Sequence, residues 1–522
     1  MTQTNPQMPS FNLWTEAWIS VERPDGRLEV LNLWQTLSEA HQIRALYEPS
    51  PLVVVAIHRL LVAILQAALR PQQPSDLAQV WRDGQFSIEK LQAFADKYAQ
   101  RFDLFSAEAP FLQSADLALQ PAKGDNVKPV GYLLSEQPAG TAVTHYNHTY
   151  DNRQQFCSRC AAKGLLTIPA FASSGGAGIK PSINGVPPIY VVPGGATLFH
   201  SLAASLTLPA YQPPNFQPQY AEYDTPWWEH EPIVPKKGIV RRVGYLHSLT
   251  FPARRVRLHP RPGQAPCTRC GQMTPWHTAT MIYEMGESRP DDAAWWRDPF
   301  AAYRPPKEGE QPTPIRPVEG RAIWREFVAL FLPVNRDHRP VILNQLTDSD
   351  RIRNVLPYSR DAPIPLRIIG VRTDMKMKTF EWQESGFDLP PRLLTDPDSA
   401  KYIEKSLEFA RQCDNISKSV FDKWFEKRFQ SVKTAMSQQY WQQLGQTFHH
   451  HIQQYTPQAD AEALLRAWLQ QTIHQAIAAF QAAVETLPDD GHTLRQRIEA
   501  INRCRAGLYG YLNKTYPQEE TP

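Results

Sequence analysis

The sequence predicts an α+β protein, with a large mixed α/β domain that holds a structural zinc site at residues 1–391 and a C-terminal four-helix bundle at residues 392–522. Prolines are dense from residue 181 to residue 391, whereas Pro457 is the only proline between residues 398 and 487. Because proline fixes φ and has no backbone N–H, the first region should be rich in irregular and extended chain and the second in helix. Two widely separated Cys-x-x-Cys pairs lie within the first region.

Length and composition are those of a globular protein with two or more domains: 522 residues, 42% of them hydrophobic and 20% charged. The segment Met1–Phe11 is polar and lacks the basic and apolar parts of a secretory signal. The longest apolar run, Pro51–Leu69, contains His58, Arg59 and Gln66, so we expect a helix inside the protein and not a membrane span. These features predict a cytoplasmic protein without a membrane partner.

The first region opens with a predicted β-hairpin. Trp18–Glu22 and Leu28–Leu31 are β-prone runs on either side of the turn sequence Pro24-Asp25-Gly26. A mixed α/β region therefore begins near the N-terminus.

The C-terminal region has the period of amphipathic helices. Apolar residues from Leu465 to Val484 recur at spacings of three and four, and Thr456-Pro457 before them supplies a predicted N-cap and first helical residue. Similar segments cover about residues 400–429, 431–455 and 493–512. The short connections between them favour an antiparallel bundle.

The run His449-His450-His451 lies within one of these helical segments. Adjacent helical positions do not point at one ion, so we interpret the run as bundle surface or packing.

Four of the six cysteines form the pairs Cys157-x-x-Cys160 and Cys267-x-x-Cys270. Four thiolates at about 2.3 Å are the shell of a closed, structural zinc site. One Zn²⁺ held by both pairs would join two distant segments and contribute to folding. Two local disulfides, or unrelated buried thiols, are the alternatives; the absence of a secretory signal disfavours disulfides.

Net charge is close to balanced, at +3, but one segment is strongly basic. It contains nine Lys or Arg and no Asp or Glu: Lys236, Lys237, Arg241, Arg242, Arg254, Arg255, Arg257, Arg261 and Arg269. Such clusters bind polyanions by releasing counterions and by fork-shaped phosphate contacts. The segment predicts a phosphate-facing surface, unless the fold pairs these cations with acids elsewhere.

A glycine-rich loop, Ser173–Pro181, follows the first cysteine pair. Small residues allow the backbone to approach a ligand, and consecutive N–H groups can cradle an anion. The loop is not a nucleotide-binding P-loop, because Lys180 is followed by Pro181 where Ser or Thr opening a helix is required. A plain tight turn is an equally good interpretation of the loop taken alone.

The cluster His145-Tyr146-Asn147-His148 lies just before the first cysteine pair. Its composition is compatible with a metal-dependent nuclease. The spacing disfavours this, because histidines three residues apart cannot place a base and a metal ligand on opposite sides of a scissile phosphate. The sequence also contains no nucleophile-elbow motif of hydrolases, no zinc-protease motif and no dinucleotide-binding motif.

Taken together, the motifs resemble the large subunit of type I-E Cascade, the CasA family of CRISPR surveillance complexes, along almost the whole chain. Their order and spacing make the resemblance specific. The matching segments are Phe11–Ile19 through Asn32-Leu33, the first cysteine pair with the glycine-rich loop, Leu198 to Pro209, Cys267–Gln272, Ile369–Asp374 and the helical tail.

The resemblance implies a non-enzymatic DNA-recognition subunit of a crRNA-guided antiviral complex. Such a subunit recognises the protospacer-adjacent motif (PAM) in double-stranded target DNA from the minor groove, promotes strand separation and R-loop formation, and recruits a helicase-nuclease. Its other implied partners are the crRNA 5′ handle and the backbone, handle-binding and small subunits. A protein that leaves sequence recognition to base pairing needs few base contacts of its own.

The resemblance also assigns residues. The family's glycine loop corresponds to Ser174, Gly175, Gly176, Ala177 and Gly178, followed by Lys180. The family's wedge, a glutamine at a hairpin tip, falls near Met375, between Asp374 and Lys376. Methionine can still separate a base step as an apolar wedge, but it offers no amide hydrogen bond.

Two further assignments follow from the resemblance. The first departs from the family pattern, and the second concerns a contact with RNA. When the family's lysine finger is placed on this sequence by counting residues without a gap, it falls on Met285. The nearest cationic residue is Arg289. Tyr146, Asn147 and His148 correspond to a loop that contacts the crRNA handle and the subunit that holds it, where Tyr146 could stack on a base.

Two function classes therefore remain at the level of sequence. The favoured one is a DNA-recognition and recruitment subunit with a structural zinc. The alternative is a zinc-stabilised nuclease, or another nucleic-acid-processing enzyme, that uses His145, Asn147 and His148. Incubation with DNA and Mg²⁺ or Mn²⁺ distinguishes the two.

Overall fold

The computed structural model mixes helix and sheet, which confirms the α+β prediction. It describes residues 9–120, 122, 124–137, 154–174, 178–212, 223–293, 295–356, 362–373, 379–456, 458–488 and 491–517. The strands within these ranges are β1 (Ile19–Glu22), β2 (Leu28–Leu31), β3 (Ala45–Leu46), β4 (Val127–Pro129), β5 (Tyr190–Pro193), β6 (Arg254–Pro266), β7 (Met273–Met285), β8 (Tyr303–Arg304), β9 (Thr313–Pro314), β10 (Ile364–Thr373) and β11 (Thr379–Leu389).

Helices occur in every part of the described chain. Those of the first part are α1 (Leu33–Ser38), α2 (Pro51–Leu69), α3 (Pro74–Asp83), α4 (Ile88–Tyr98), α5 (Ser158–Phe171), α6 (Leu198–Ser205) and α7 (Tyr245–Leu249). Those of the second part are α8 (Phe327–Phe331), α9 (Val341–Asp348), α10 (Asp350–Arg353), α11 (Pro391–Thr395), α12 (Pro397–Trp424), α13 (Gln430–Gln453), α14 (Ala461–Glu485) and α15 (Gly491–Thr515).

The sheets are small. Three have three strands, in the orders β2-β1-β3, β11-β10-β5 and β4-β7-β6, and β8 pairs with β9 alone. The predicted N-terminal hairpin is confirmed: β1 and β2 pair antiparallel from Ile19–Leu31 to Glu22–Leu28. Gly26 closes the turn at φ +83°, a conformation that glycine adopts without strain.

Helix α2 is the buried centre of the first part of the fold and packs against α4, α5, α6 and α7. By length and composition alone it could cross a membrane, and 83% of its apolar window is buried inside the protein. The three polar residues that interrupt its sequence each have a buried partner. His58 Nε2 lies 2.9 Å from Ser205 Oγ, and Gln66 exchanges hydrogen bonds with the backbone of Thr207.

The third polar residue of α2, Arg59, forms a buried ion pair with Asp298 at 2.9 Å. Asn184 donates a hydrogen bond to the same carboxylate at 2.8 Å. A buried charge is tolerated only with such pairing, because the attraction must offset the loss of solvation. The interpretation of α2 as a helix inside the protein agrees with these contacts.

Contacts divide the chain into two compact units. The first comprises Met1–Pro317, Asp337–Ser359 and Pro365–Gly386; the second comprises Val318–Arg336, Arg360–Ile364 and Phe387–Pro522. The tail expected at residues 392–522 lies within the second unit, which in addition contains Val318–Arg336. Apolar packing holds this earlier segment against the tail, because the ring of Trp324 stacks on that of Phe448 in α13 with centroids 4.9 Å apart.

The second unit contains four long helices, α12 to α15. α14 packs against α12, α13 and α15, and α12 also contacts α13 and α15. Buried hydrogen bonds join them: Trp468 Nε1 donates to the carbonyl of Ser406 at 2.9 Å, and Tyr440 Oη donates to that of Ala410 at 2.9 Å.

One predicted helix boundary is wrong. α14 begins at Ala461 and not at Thr456-Pro457, because the Asp460 carboxylate accepts hydrogen bonds from the N–H groups of Glu462 and Ala463 at 3.0 and 3.1 Å. An acidic N-cap satisfies two free amides and also complements the helix dipole.

Candidate functional site

The two cysteine pairs meet in the first unit. Cys157 is the N-cap of α5 and Cys160 lies in its first turn, whereas Cys267 and Cys270 lie in the turn that joins β6 to β7. In that turn Cys267 N donates to Gln272 O at 2.9 Å, and Gly271 N donates to Cys267 O at 2.8 Å. A helix start and a hairpin turn are rigid supports, so the sulfurs have defined positions.

The four sulfurs lie within 4.8 Å of one another. The Sγ atoms of Cys157 and Cys270 are 3.7 Å apart, which is close to the edge of about 3.8 Å of a tetrahedron with metal–sulfur bonds of about 2.3 Å. All six cysteines are free thiols, so the alternative of two local disulfides is wrong. The cluster could therefore hold a metal ion.

Burial and crowding of the thiols favour a cation at this position. The pKa of the Cys160 thiol is raised, first by hydrogen bonds with the Cys157 and Cys267 thiols and then by burial. Four sulfurs in one small space can be thiolates together only when a positive charge lies among them.

Protein contacts alone also hold the two segments together. Phe156 and Thr278 exchange backbone hydrogen bonds of 2.8 Å, which places the start of α5 beside β7. Arg269 forms an ion pair with Glu136 at 2.7 Å. A metal ion in the cluster would therefore further stabilise the contact between the start of α5 and the β6–β7 hairpin, which the protein contacts already favour.

The fold separates the basic segment into buried and exposed cations. Arg254, Arg255 and Arg257 are 2%, 7% and 2% exposed, respectively, so the expectation that they face a phosphate backbone is wrong. Arg255 pairs with Asp116 at 2.8 Å, and burial lowers the pKa of Arg257 to about 10. The exposed cations of the segment are Lys236, Lys237, Arg241, Arg242 and Arg261.

Arg254 connects the two ends of the glycine-rich loop. Its guanidinium donates to the carbonyl of Ser173 at 2.6 Å and to the carbonyl of Lys180 at 2.9 Å. Met285 lies buried at the same place, and its sulfur accepts a hydrogen bond from Lys180 N at 3.2 Å. Met285 thus contacts the loop from inside the protein. A lysine that reaches DNA would instead have to be exposed.

Lys237 is the functional candidate that sequence reasoning missed. Its Nζ lies 3.7 Å from the position that a Cβ on Gly178 would occupy, and Gly178 has φ +80°. Lys237 was one of nine cations in the basic segment, and only the tertiary structure places it beside the loop. Lys180 is exposed, and Ser174 is half-buried.

Arg289 is partly buried, and desolvation by that burial lowers its pKa. It follows Ser288, whose N–H donates to Gly238 O at 2.9 Å, so its segment runs beside the residue after Lys237.

One small cleft in the first unit is lined by described residues that precede or follow the three predicted contact segments in the chain. Its lining includes Gln137 before the His145–His148 segment, Ser173 at the start of the glycine-rich loop, and Thr373 and Thr379 at the ends of β10 and β11. Thr379 Oγ1 donates to the carbonyl of Ser135 at 3.0 Å, which joins the hairpin to the first segment.

Several predicted residues lie outside the described part of the chain. They are Gly175, Gly176 and Ala177 of the loop, Asp374, Met375 and Lys376 between β10 and β11, and His145, Tyr146, Asn147 and His148. Their assigned roles stay predictions.

Comparison with known families gives a match over most of the chain. Residues 12–479 match the family model described as CRISPR-associated protein Cse1. The CRISPR-associated protein CasA/Cse1 of Thermus thermophilus is 28% identical over 425 residues, which cover 78% of this chain and 76% of that protein.

Solved structures agree with this match. The fold is similar to that of Cse1 from Acidimicrobium ferrooxidans, with a TM-score of 0.78, 21% identity and coverage of 98% of this chain and 99% of that one. It is similar to Thermus thermophilus CasA (Cse1), with a TM-score of 0.74, 25% identity and coverage of 96% and 99%. A chain of a CRISPR RNA-guided surveillance complex has a TM-score of 0.70 at 18% identity, with coverage of 96% and 100%.

Proposed function

Because this chain belongs to the Cse1 family, the large subunit of type I-E Cascade, we propose that it is the DNA-recognition subunit of a crRNA-guided antiviral surveillance complex. In this role it recognises the PAM of duplex DNA from the minor groove, promotes strand separation and recruits the helicase-nuclease. Its partners are target DNA, the crRNA 5′ handle and the other Cascade subunits. It performs no chemistry of its own.

The observation that carries the proposal is the common cleft of the three contact segments. The glycine-rich loop, the β10–β11 hairpin and the segment that starts after Gln137 are far apart in sequence, yet their described ends line one cleft. DNA recognition needs a groove contact, a strand-separating wedge and a contact to the guide RNA within the span of a few base pairs. The described residues that flank all three segments line one cleft, which supports the assignment.

We assign the groove contact to Ser174, Gly175, Gly176, Ala177 and Gly178. A loop of small residues allows the backbone itself to approach the floor of a minor groove, where the hydrogen-bonding pattern of the bases is degenerate. Loose PAM selectivity is the expected consequence. The Arg254 contacts to Ser173 and Lys180 support this role, because they hold both ends of the loop.

We assign the cation of this contact to Lys237, with Lys180 beside the same loop. Met285, at the family's lysine position, is buried and hydrogen-bonded to the loop. Lys237 is exposed and lies beside Gly178, so its ammonium can reach a phosphate or a base edge that the loop approaches. Arg289 is the second candidate, and its partial burial makes it the weaker one.

The wedge is assigned to Met375, in the sequence between β10 and β11, with Asp374 and Lys376 on either side. An apolar side chain inserted into a base step separates the bases at a cost of a few kcal/mol, which the surrounding contacts offset. We assign Tyr146, Asn147 and His148 to the crRNA handle, with Tyr146 stacking on a base.

The cysteine cluster is assigned to one structural Zn²⁺ held by Cys157, Cys160, Cys267 and Cys270. Four sulfurs leave no open coordination position, so the ion would stabilise the start of α5 against the β6–β7 turn and take no part in a reaction. The four long helices α12 to α15 are assigned to an antiparallel bundle at residues 392–522, which follows the mixed domain at residues 1–391.

The test is PAM selection by the assembled complex. The chain is combined with its crRNA and the other Cascade subunits, and binding is measured on duplex targets whose PAM positions are randomised. We expect the complete complex to select a subset of targets and the complex without this chain to bind without selection. Equal selection by both complexes would contradict the proposal.

Matched lysine variants test the loop contact. Lys237→Gln should weaken target binding about fivefold and reduce its salt dependence, because one contact to DNA is lost. Lys236→Gln removes the same charge from the preceding residue, whose ammonium lies 3.2 Å from Glu284, and should change binding little. DNA cleavage by the purified chain with Mg²⁺ or Mn²⁺ would instead favour the nuclease alternative.

A further inference from the structure

A second group of potential metal ligands lies in the first unit, separate from the cysteines. His230, His247 and Glu287 each offer one ligand atom, and these atoms lie within 4.8 Å of one another. The side chains of His247 and Glu287 are 7% and 6% exposed, and that of His230 is 17% exposed. Two of the three side chains are therefore buried and the third is only partly exposed.

Three separate pieces of local structure hold these side chains. His230 closes a turn in which its N–H donates to the carbonyl of Pro226 at 2.9 Å. His247 lies in α7, and its N–H donates to the Asp224 carboxylate at 3.0 Å. Glu287 follows β7, and its N–H donates to the carbonyl of Pro252 at 3.0 Å. Each backbone is fixed independently of the others.

Two of the ligand atoms lack a hydrogen-bond partner although they are buried. These atoms are His247 Nε2 and Glu287 Oε2. They are 3.2 Å apart, which is ion-pair distance when His247 is protonated, and neither atom makes a hydrogen bond. Buried polar atoms without a partner cost about 1–3 kcal/mol each, so native proteins rarely leave them unsatisfied. A bound cation would satisfy both.

The third ligand has a fixed tautomer. His230 Nδ1 is 3.0 Å from the carbonyl oxygen of Glu231, which can only accept, so Nδ1 carries the proton. Nε2 of a neutral His230 is then an unprotonated nitrogen, and it lies 3.6 Å from Glu287 Oε1. In metal-binding histidines, the ring nitrogen that does not bind the metal usually donates a hydrogen bond to a carbonyl or carboxylate, which fixes the tautomer and the ring orientation.

We propose that His230, His247 and Glu287 form a second metal site, which binds Zn²⁺ with water as the fourth ligand. With metal–ligand bonds of about 2.0–2.1 Å, the ligands of a tetrahedral ion are separated by about 3.3 Å. Glu287 Oε2 lies 3.2 Å from His247 Nε2, close to this edge, and the other carboxylate oxygen, Oε1, lies 3.6 Å from His230 Nε2. Two imidazoles and a carboxylate are a borderline donor set that suits Zn²⁺ better than Mg²⁺ or Ca²⁺.

Such an ion would influence the glycine-rich loop indirectly, through the backbone hydrogen bonds between the segment after β7 and the segment that contains Lys237. Lys237 N donates to Met285 O at 3.1 Å, and Gly238 O accepts from Ser288 N at 2.9 Å. Glu287 therefore lies between the two hydrogen bonds that fix the position of Lys237. A metal ion on Glu287 would stiffen the segment that holds this lysine beside Gly178.

Zinc content measured on the full-length chain tests the proposal. The chain is stripped of metal by a chelator under reducing conditions, dialysed against Zn²⁺, and analysed for zinc per chain. We expect about two zinc ions in the wild type and about one in Glu287→Gln and in His230→Asn, because the cysteine cluster keeps its own ion. Glu284→Gln, which removes a carboxylate three residues away from Glu287, should retain about two.

The wild-type measurement is decisive even if a variant does not fold. About one zinc per wild-type chain would overturn the second site, and so would about two in well-folded Glu287→Gln. Co²⁺ substitution adds a spectroscopic check, because thiolate ligands produce an intense near-ultraviolet charge-transfer band whereas imidazole and carboxylate do not. A visible Co²⁺ spectrum in the wild type that Glu287→Gln does not change would also overturn it.

Discussion

Arg254 shows how one buried side chain can position a surface loop. Its guanidinium is 2% exposed and donates to the carbonyls of Ser173 and Lys180, on either side of the glycine-rich segment. Arginine suits this position because its planar fork presents several donors in fixed directions. Small residues make the loop thin enough to approach a ligand, and Arg254 keeps its ends in place.

At the same scale, Met375→Ala should slow R-loop formation by the assembled complex on fully paired target DNA. The physical reason is that, in the proposed arrangement, Met375 is the apolar group that separates the first base step. Pre-melting the base pairs next to the PAM should restore the rate, because separation is then no longer required. Binding and R-loop kinetics on paired and pre-melted targets provide the measurement.

Lys376→Ala is the matched control for this variant. In the proposed arrangement Lys376 contacts a phosphate and is not the wedge, so the variant should weaken binding to paired and pre-melted DNA alike, with a smaller salt dependence. If Met375→Ala is equally defective on pre-melted DNA, or harmless on paired DNA, the wedge lies elsewhere.

At the scale of secondary-structure elements, the cysteine cluster joins a helix start to a hairpin turn. Cys157 is the N-cap of α5 and Cys160 lies in its first turn, whereas Cys267 and Cys270 belong to the β6–β7 turn. The two elements are distant in sequence and already share the Phe156–Thr278 hydrogen bonds. A metal ion at this junction would stabilise the folded chain, because the unfolded chain has no preformed site to bind it.

Cys267→Ser should lower the zinc content by about one ion per chain and the free energy of unfolding by about 3 kcal/mol or more. The reason is the loss of one of four ligands from a site whose binding energy contributes to folding. Elemental analysis and urea unfolding measure the two effects. Cys504→Ser, which changes a buried thiol outside the cluster, should retain the metal; an unchanged zinc content in Cys267→Ser would refute the assignment.

Helix α13 contains a second junction, where Gly445 faces Trp324. A Cβ on Gly445 would lie 2.7 Å from Trp324 Nε1, in a buried position. Gly445→Ala should therefore lower the free energy of unfolding by about 1–2 kcal/mol, because overpacking outweighs the gain in helix propensity. Gly510→Ala, in α15 with nothing within 4 Å, should instead raise it by about 0.5–1 kcal/mol.

Chemical unfolding of the two glycine variants measures this difference directly. Stabilisation by both substitutions would mean that Trp324 does not pack against α13 in solution.

At the scale of the whole molecule, each compact unit contains a histidine that burial keeps neutral. Burial lowers the pKa of His58 in the first unit and of His451 in the second to about 3. The unfolded chain binds a proton at an ordinary histidine near pH 6.5, whereas the folded chain does not. Between about pH 6.5 and 3 the unfolded state therefore binds more protons, and stability falls as the pH falls.

His451→Gln should remove part of this pH dependence. His451 stacks on Trp468 with centroids 4.7 Å apart and hydrogen-bonds with Ser406, so the variant should be less stable than wild type at pH 7.5. The free energy of unfolding of the wild type should fall by up to about 1.4 kcal/mol per pH unit through this group as the pH falls towards 5. The difference in free energy of unfolding between the wild type and the variant should therefore become smaller. Urea unfolding at several pH values provides the measurement.

His450→Gln, at the exposed neighbouring position, is the control for this substitution. A gap between wild type and His451→Gln that stays constant from pH 7.5 to 5 would exclude His451 as a source of the acid sensitivity.

The sequence alone determined the features that depend on local pattern. The hairpin turn at Pro24-Asp25-Gly26, the amphipathic helices of the tail and the two Cys-x-x-Cys pairs each follow from residues close together in the chain. Their order also carried the resemblance to the family. The start of α14 was missed even though it is local, because Thr456-Pro457 and Asp460 compete as caps and only the folded chain selects Asp460.

The tertiary structure alone decided which residues from distant segments share a surface. Arg254, Arg255 and Arg257 have the same sequence signal as Lys237, yet the fold buries the three arginines and leaves the lysine exposed beside Gly178. The grouping of His230, His247 and Glu287 likewise has no sequence motif. Burial and pairing depend on contacts between segments far apart in the chain, and no local pattern of residues records them.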